Sequence, residues 1–343
     1  MKKFSILVAA YNMENYLLES LASIKEQTFC DFEIILVDKN SSDNTLKLAK
    51  DFKNDYPQIE MNIIALEKNV GLFMSRHTAI NNSKGEYLVF LDSDDKLMKN
   101  ALWELNETLN KFNSADMIIY RYKEFNLSEK ESPNIFNTNE PIFIDDEKRK
   151  KLDYLLATTP HINNIWLKCI KREKALLFTN YEKYSHFLYA EDRVNSMHFL
   201  KVCKEIIYNP SILYLYNIRS TSISKKYTFS RIKQFMEHTS LLFDYYLDDS
   251  DIKKDKVVNK IITEDLLKSL YIGVTNFDYS KKETFELLED ISNFLCLRKS
   301  NVGKIKLVYK PMYKSLLKKK YKKSLLYSKI WNIFRNIRNK VKR

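Results

Sequence analysis

This 343-residue chain predicts an α/β fold, a mostly parallel sheet wrapped by helices and followed by a helical C-terminal region. Two observations predict it. Between Phe4 and Tyr120, short apolar runs alternate with stretches carrying apolar residues at helical spacing, the pattern of a parallel sheet whose crossovers are helices. One run, Tyr87 to Leu91, is wholly apolar with aromatic and β-branched members, is preceded by Gly85, and flows into Asp92, Asp94 and Asp95. That composition reads as a strand buried on both faces.

Phe4 to Ala10 reads as the first strand; the opening resembles a secretion signal only briefly, because its apolar run stops at Ala10 before polar and acidic residues. Glu14 to Gln27 places Leu17, Leu18, Leu21 and Ile24 on one helical face. Phe32 to Val37 is a second strand and delivers Asp38. The segment S-S-D-N-T opens a helix from Thr45 to Phe52, with serine and aspartate as caps. Asn62 to Leu66 is a third strand, and Asn69-Val70-Gly71 turns into a helix that carries Arg76 and ends at Lys84-Gly85. After the Tyr87 strand come a helix around Asn100 to Phe112 and a fifth strand, Met117 to Tyr120. Ser128 to Glu140 is a polar loop, and residues 146 to 200 read as helical pieces with Tyr154, Trp166 and Phe178 in the core. Strand character returns from Ile206 to Tyr216. Beyond Phe229 the pattern is helical, and Ser280-Lys281-Lys282-Glu283 has capping-box spacing before a helix ending near Leu297.

Three carboxylates at the end of one strand repel one another. Ligands of open α/β sheets gather at that end, and a hard divalent ion holding a phosphorylated substrate answers the repulsion. A solvated turn whose aspartates cap the next helix is the plainer alternative. Composition narrows the field further. The four glycines, Gly71, Gly85, Gly273 and Gly303, allow neither a dinucleotide fingerprint nor a P-loop. Four dispersed cysteines without a C-x-x-C pair argue against a structural zinc site or a disulfide framework. No stretch is long and apolar enough to span a bilayer.

The net charge of +13 is unevenly spread. From Ile291 onward there are 17 Lys or Arg and no acid, leaving 40 basic against 44 acidic side chains before it. Ser324 to Val341 aligns Leu326, Ile330, Ile333, Phe334, Ile337 and Val341 on one face, with Lys329, Arg335, Arg338 and Lys342 off it. A basic amphipathic helix of this kind suits an anionic membrane surface, reached from the cytoplasm on the inner face of the cell membrane. A solvated charged face and a nucleic-acid arm are its rivals, and the coherent apolar stripe favours the membrane over nucleic acid.

Several blocks together resemble the family 2 glycosyltransferases of the GT-A fold. These are S-I-L-V-A-A-Y-N, L-x-x-S-L-A-S-I-K-E-Q-T and E-I-I-L-V-D-K-N-S-S-D-N-T at the start, then N-V-G-L-F-M-S-R-H-T-A-I with G-E-Y-L-V-F-L-D-S-D-D. Y-A-E-D-R-V and Y-L-Y-N-I-R-S-T-S-I-S extend the likeness. The likeness covers a GT-A domain at 1–228; residues 230 to 343 resemble no family, and their pattern and charge give a helical extension at 229–298 and the basic tail at 299–343. The resemblance implies that Asp38 meets the nucleotide base, a uracil N–H, in a pocket shaped by Ala10, Tyr11 and Glu14. It implies that Arg76 pairs with the diphosphate, Asp92 faces the ribose beside Ser93, and Asp94 ligates Mn²⁺ or Mg²⁺. Asp95 orients the site from the acceptor side, and Asp192, next to Glu191, is the catalytic base. Arg219, Ser222 and Ser224 close over the pyrophosphate. Lys39 stands where the family often has a second acid, and Asn40 where glycine is common, which weakens the assignment of uracil.

Each residue also has a plainer reading. Asp38 could cap a helix, Arg76 could lie on a helix surface, and Glu191-Asp192 could simply open a helix. His161, His186 and His198 lack metal-ligand spacing and read as core or surface residues. The function expected is inverting transfer of a hexose or N-acetylhexosamine from a nucleoside-diphosphate sugar, UDP foremost. The acceptor is a hydroxyl of a lipooligosaccharide, capsule or other glycan, free or lipid-linked. A polyprenyl-phosphate sugar transferase, a glycoside hydrolase and a non-catalytic membrane-surface adaptor are the rival readings.

Overall fold

The structure is a computed structural model. It describes residues 2–159, 162–187 and 191–219, and beyond them 281–298, 309–324 and scattered positions between 234 and 327. The chain divides into two compact units, Met1–Leu152 with Pro160–Thr221, and Asp153–Thr159 with Ser222–Arg343.

The first unit opens with β1 (Phe4–Ala10), α1 (Leu17–Lys25), β2 (Phe32–Asp38), α2 (Thr45–Asp55), β3 (Glu60–Ala65), α3 (Gly71–Asn82) and β4 (Tyr87–Asp92). β5 (Lys96–Leu97), α4 (Ala101–Lys111), β6 (Met117–Asn126) and β7 (Ile142–Phe143) follow, and α5 (Asp146–Thr158) begins in this unit, its residues from Asp153 onward being assigned to the second. The first unit ends with β8 (Lys168–Lys171), α6 (Arg172–Ala175), α7 (Glu191–Val202) and β9 (Ile206–Ile218). Among the described residues these strands make one sheet in the order β3-β2-β1-β4-β8-β6-β9-β5, with β7 added to β9.

β1, β2, β3 and β4 run parallel, and every residue of β1 and β2 is buried. Alternation would leave one face polar; the continuous apolar runs instead let helices cover both faces. Each fully buried Ile, Leu or Phe of these strands contributes roughly 1.5–3 kcal/mol through removal of apolar surface from water. Gly85 lies where the chain enters β4. A Cβ there would come within 2.6 Å of the Phe4 carbonyl carbon and of the Ser5 nitrogen, so only glycine fits against β1. Its amide and that of Lys84 donate to the buried Glu33 carboxylate, which Ser5 Oγ also reaches at 2.6 Å.

The second half of the sheet departs from the expected helical pieces. β8 lies between β4 and β6 and is antiparallel to both. It is four residues long, K-C-I-K, with lysines at both ends, so it carries no apolar run. Its neighbours, not its composition, make it a strand. Trp166 and Phe178 are core residues as expected, whereas Tyr154 is only half-buried. β6 extends beyond Tyr120 to Asn126 and pairs with β9 in parallel, with register shifts around Arg121. Pro210 of β9 sits at this irregularity, where a strand tolerates a missing N–H.

In the second unit, α8 (Lys281–Arg298) matches the expected helix after the capping-box spacing, and α9 (Lys310–Leu317) follows with Pro311 in its first turn. Ser292 Oγ donates to the Leu316 carbonyl at 2.7 Å, joining α8 and α9 beside the buried Ile291, Met312 and Leu316. Most of the basic amphipathic helix expected at 324–341, its residues from 328 onward included, lies outside the described residues. No helix of the described residues is long and apolar enough to cross a membrane.

Candidate active site

Strand register builds one side of the site. Ala10 of β1 is level with Asp38 of β2, and Ala9 is level with Asp92 of β4. With neighbouring strands about 4.8 Å apart, the two acids flank the end of β1 at roughly twice that spacing. Both β1 and β2 turn away from the sheet edge through asparagines in the left-handed region, Asn12 at φ 53° and Asn40 at φ 62°. Asparagine tolerates that region better than other residues with a Cβ, which lets Asn40 stand where glycine is usual.

Asp38 does not cap a helix. Its carboxylate accepts from Ser41 Oγ at 2.6 Å and from the Ser41 amide at 3.0 Å, closing the turn after β2. Each carboxylate oxygen accepts more than one hydrogen bond, so acceptor capacity remains toward the cleft. Glu14 accepts from the amide and side chain of Asn44 at 3.0 Å and ties the loop after β1 to the start of α2. Tyr11 is the exposed side chain of this edge, and the Ala10 carbonyl accepts from the Lys39 amide. Ser93 is buried and donates to the Ala9 carbonyl.

Arg76 reaches this edge from α3 with only 3% of its surface exposed. The helix starts at Gly71, whose φ of 82° suits glycine and whose amide donates to Asn69 Oδ1. Arg76 Nη2 donates to Asp92 Oδ1 at 2.8 Å, Nη1 donates to Asp192 Oδ1, and Glu191 lies 4.0 Å from Nη1. The surface reading of Arg76 is therefore replaced by a buried one. One guanidinium joins the end of β4 to the first turn of α7, Arg76 itself lying 116 residues before Asp192 in sequence. Burial pushes the Asp192 carboxyl above its ordinary range and the Asp92 charge adds to that, against the pull of Arg76. Glu191 is raised too, first by burial and then by Asp192.

The D-S-D-D turn separates its acids. Asp95 lies beneath the site and is buried: its carboxylate accepts from Tyr214 Oη at 2.7 Å and from the Asn217 amide at 2.7 Å. Tyr214 Oη in turn accepts from the Asp92 amide, so β9 and β4 are locked together just under the acids. Asp94 pairs with Arg219, whose guanidinium stacks over Tyr16 at 5.0 Å. Ser222 and Ser224 lie outside the described residues.

Among the described residues no group of three or more His, Cys, Asp or Glu forms a ready cage for a metal. A phosphate-bridging Mg²⁺ or Mn²⁺ needs only one or two carboxylates, with the substrate's oxygens and water completing the shell. Asp94 and Asp92 are donors of that kind. Burial and the Asp92 charge hold the Asp94 carboxyl above its ordinary range, the disfavour that a cation relieves. The donor set fits the ion, and Arg219 supplies the positive charge there in this structure.

Two buried groups carried no sequence signal. Lys168 of β8 is fully buried and donates from Nζ to the carbonyls of Ile162 and Asn164 at 2.6 and 2.8 Å, close enough to feel Asp192. His77, next to Arg76, stacks on Tyr181 with ring centroids 4.1 Å apart and meets Asn195 Oδ1 at 3.1 Å. His198, half-buried, stacks on Phe178 at the same separation. This aromatic brace packs against α3 at the residue next to Arg76.

Residues 5–165 match the family model described as Glycosyl transferase family 2. The chain is 30% identical, over 66% of its length, to the glycosyltransferase GlyA of Streptococcus pneumoniae. It is 33% identical, over 37% of its length, to the poly(ribitol-phosphate) beta-N-acetylglucosaminyltransferase TarS of Staphylococcus aureus. The matched stretch spans 32% of GlyA and 22% of TarS, a third or less of these relatives. Among solved structures, S. aureus TarS 1–349 in complex with UDP-GlcNAc superimposes with a TM-score of 0.67 at 20% identity, over 96% of this chain and 91% of that one. The mannosyltransferase PcManGT from Pyrobaculum calidifontis, in complex with GDP-Man and Mn²⁺, gives 0.54 at 14% identity over 97% and 87%. At these identities the likeness is one of fold.

Proposed function

The chain belongs to glycosyl transferase family 2 and has the GT-A fold, and from that premise we propose an inverting transfer of a hexose or N-acetylhexosamine from a UDP-sugar to a hydroxyl of a bacterial surface polymer. The observation that carries the reading is Arg76, which holds Asp92 on the donor edge and Asp192 on the facing helix with one guanidinium. Similarity to enzymes named for poly(ribitol phosphate) supports a polyol-phosphate or related glycan polymer as acceptor.

In this mechanism Asp38 and Tyr11 bracket the base, and Asp92 faces the ribose. Asp192 uses Oδ2, the oxygen that Arg76 does not engage, to take the proton of the acceptor hydroxyl. The acceptor oxygen bonds to the anomeric carbon as the bond from that carbon to the diphosphate oxygen breaks, on the opposite face. Its raised pKa makes Asp192 a stronger base than an ordinary aspartate, and general base catalysis of this kind is worth roughly 10²–10⁴-fold. Arg76 and Arg219 stand where negative charge gathers on the leaving diphosphate, and a planar guanidinium suits phosphate oxygens. Asp94, with Asp92, would hold a divalent cation, which when bound supplies further neutralisation of that charge.

The test is release of UDP from UDP-GlcNAc and UDP-glucose, with Mn²⁺ or Mg²⁺, in the presence of poly(ribitol phosphate) and of capsular oligosaccharides. Acceptor-dependent UDP release with inverted product stereochemistry supports the reading. Folded protein that neither binds nor turns over any nucleoside-diphosphate sugar overturns it.

A further inference from the structure

We propose that Lys39 is a donor-binding residue that contacts the phosphates of the nucleoside diphosphate directly; this rests on the transferase reading above. The amide of Lys39 is fixed to the Ala10 carbonyl at 2.9 Å, so the residue leaves β2 in line with the end of β1. Its side chain returns over the cleft, with Nζ 5.6 Å from the Tyr11 ring centroid. Around it stand Arg76 from α3, Asp92 from β4, Glu191 from α7 and Asp38 from β2, all within electrostatic reach. Among the described residues no hydrogen bond or ion pair engages the ammonium, although charged groups, Asp94 also among them, surround it. A half-buried cation without a polar partner is disfavoured, and burial with the Arg76 charge lowers its pKa.

An anion entering between Tyr11 and Arg76 removes that disfavour. The proposed donor brings one there: its base lies at Asp38 and its diphosphate at Arg76, and Lys39 lies between the two. A flexible ammonium reaches a phosphate oxygen as a point charge, where the guanidinium of Arg76 binds in a plane. The cleft therefore carries its own cation for the donor, in addition to any ion held at Asp94.

Calorimetric titration of UDP, and separately of uridine, into wild-type protein, Lys39→Met and Lys39→Arg tests this, in EDTA and at several salt concentrations. Thermal unfolding confirms that each variant is folded. Loss of a charge-assisted contact predicts that Lys39→Met binds UDP at least about tenfold more weakly, with a flatter salt dependence. Lys39→Arg should recover part of the affinity, and uridine binding should not change. Equal UDP affinity in wild type and Lys39→Met overturns the role of Lys39 and leaves the transferase reading in place. Equal loss of uridine and UDP also overturns it, since that is a pocket-shaping effect. Wild-type protein that binds no nucleoside diphosphate overturns both.

Discussion

The donor edge and the facing edge of the cleft are built by different means. On the donor edge, Asp38 and Asp92 are placed by backbone: the register of β2 and β4 on β1 puts them level with Ala10 and Ala9. On the facing edge, Glu191 and Asp192 sit on the first turn of α7 and meet the site through Arg76. Ladder hydrogen bonds place groups without regard to charge, whereas a buried ion pair holds its partners only while both charges remain. The backbone positions of the donor-edge acids should therefore survive loss of Arg76, and those of the facing edge should not.

The largest expected effect is at Asp192. Asp192→Asn should lower kcat by about 10²–10⁴-fold while UDP affinity stays near wild type. Turnover close to wild type would remove Asp192 as the base and with it the facing edge as a catalytic one.

Next comes Arg76→Ala, which strips the counter-charge from half-buried acids on both edges and should cost about 3 kcal/mol in urea unfolding, the low end of the range for buried pairs. It should also weaken UDP binding, and unchanged stability would show that the edges are not joined through this residue.

The brace beside Arg76 gives a pH test. Burial depresses the pKa of His77 to about 4, against an ordinary value near 6.5. As pH falls from about 6.5 to about 4 the unfolded chain takes up the proton first, so stability falls over that window. The contribution of His77 approaches about 3 kcal/mol, and His198, also depressed to about 4, adds to it. His77→Phe should flatten the stability profile between those limits, and an unaltered slope would show that His77 is not held neutral by the fold.

The smallest effect sharpens the contrast from the far end of the sheet. Gly85→Ala forces a Cβ against the backbone of Phe4 and Ser5 and should cost about 1–3 kcal/mol. UDP affinity should not change, because Gly85 precedes β4 and the acids follow it. A coupled loss of affinity would mean that the strand ends move with the strand starts.

The same contrast explains what could be read from the chain. β1, β2 and β4 are mostly apolar runs, and β2 and β4 end in acids, so strand type and site end are both visible in composition. Asp38, Arg76, Asp92 and Asp192 were all nameable, although spacing alone could not bury Arg76 or bring Asp192 to it. β8 was hidden because Lys168-Cys169-Ile170-Lys171 shows neither a run nor an alternation of useful length. Lys168 itself is a lysine with no exposed surface, which no hydrophobic pattern announces. Asp95 is adjacent to Asp94 in sequence and opposite to it in use, one gripped by β9 and the other turned to Arg219. Tyr214, which determines that split, is 119 residues away.

That grip on Asp95 has a geometric consequence. The Asn217 amide and side chain hold the backbone of β9 to the carbonyl of Asp94 and the carboxylate of Asp95. Arg219 therefore starts two residues from a mooring point, and its reach to Asp94 is measured from there. Lengthening or shortening the chain between Asn217 and Arg219 by a single residue would offer Asp94 a different side chain while leaving the mooring itself untouched.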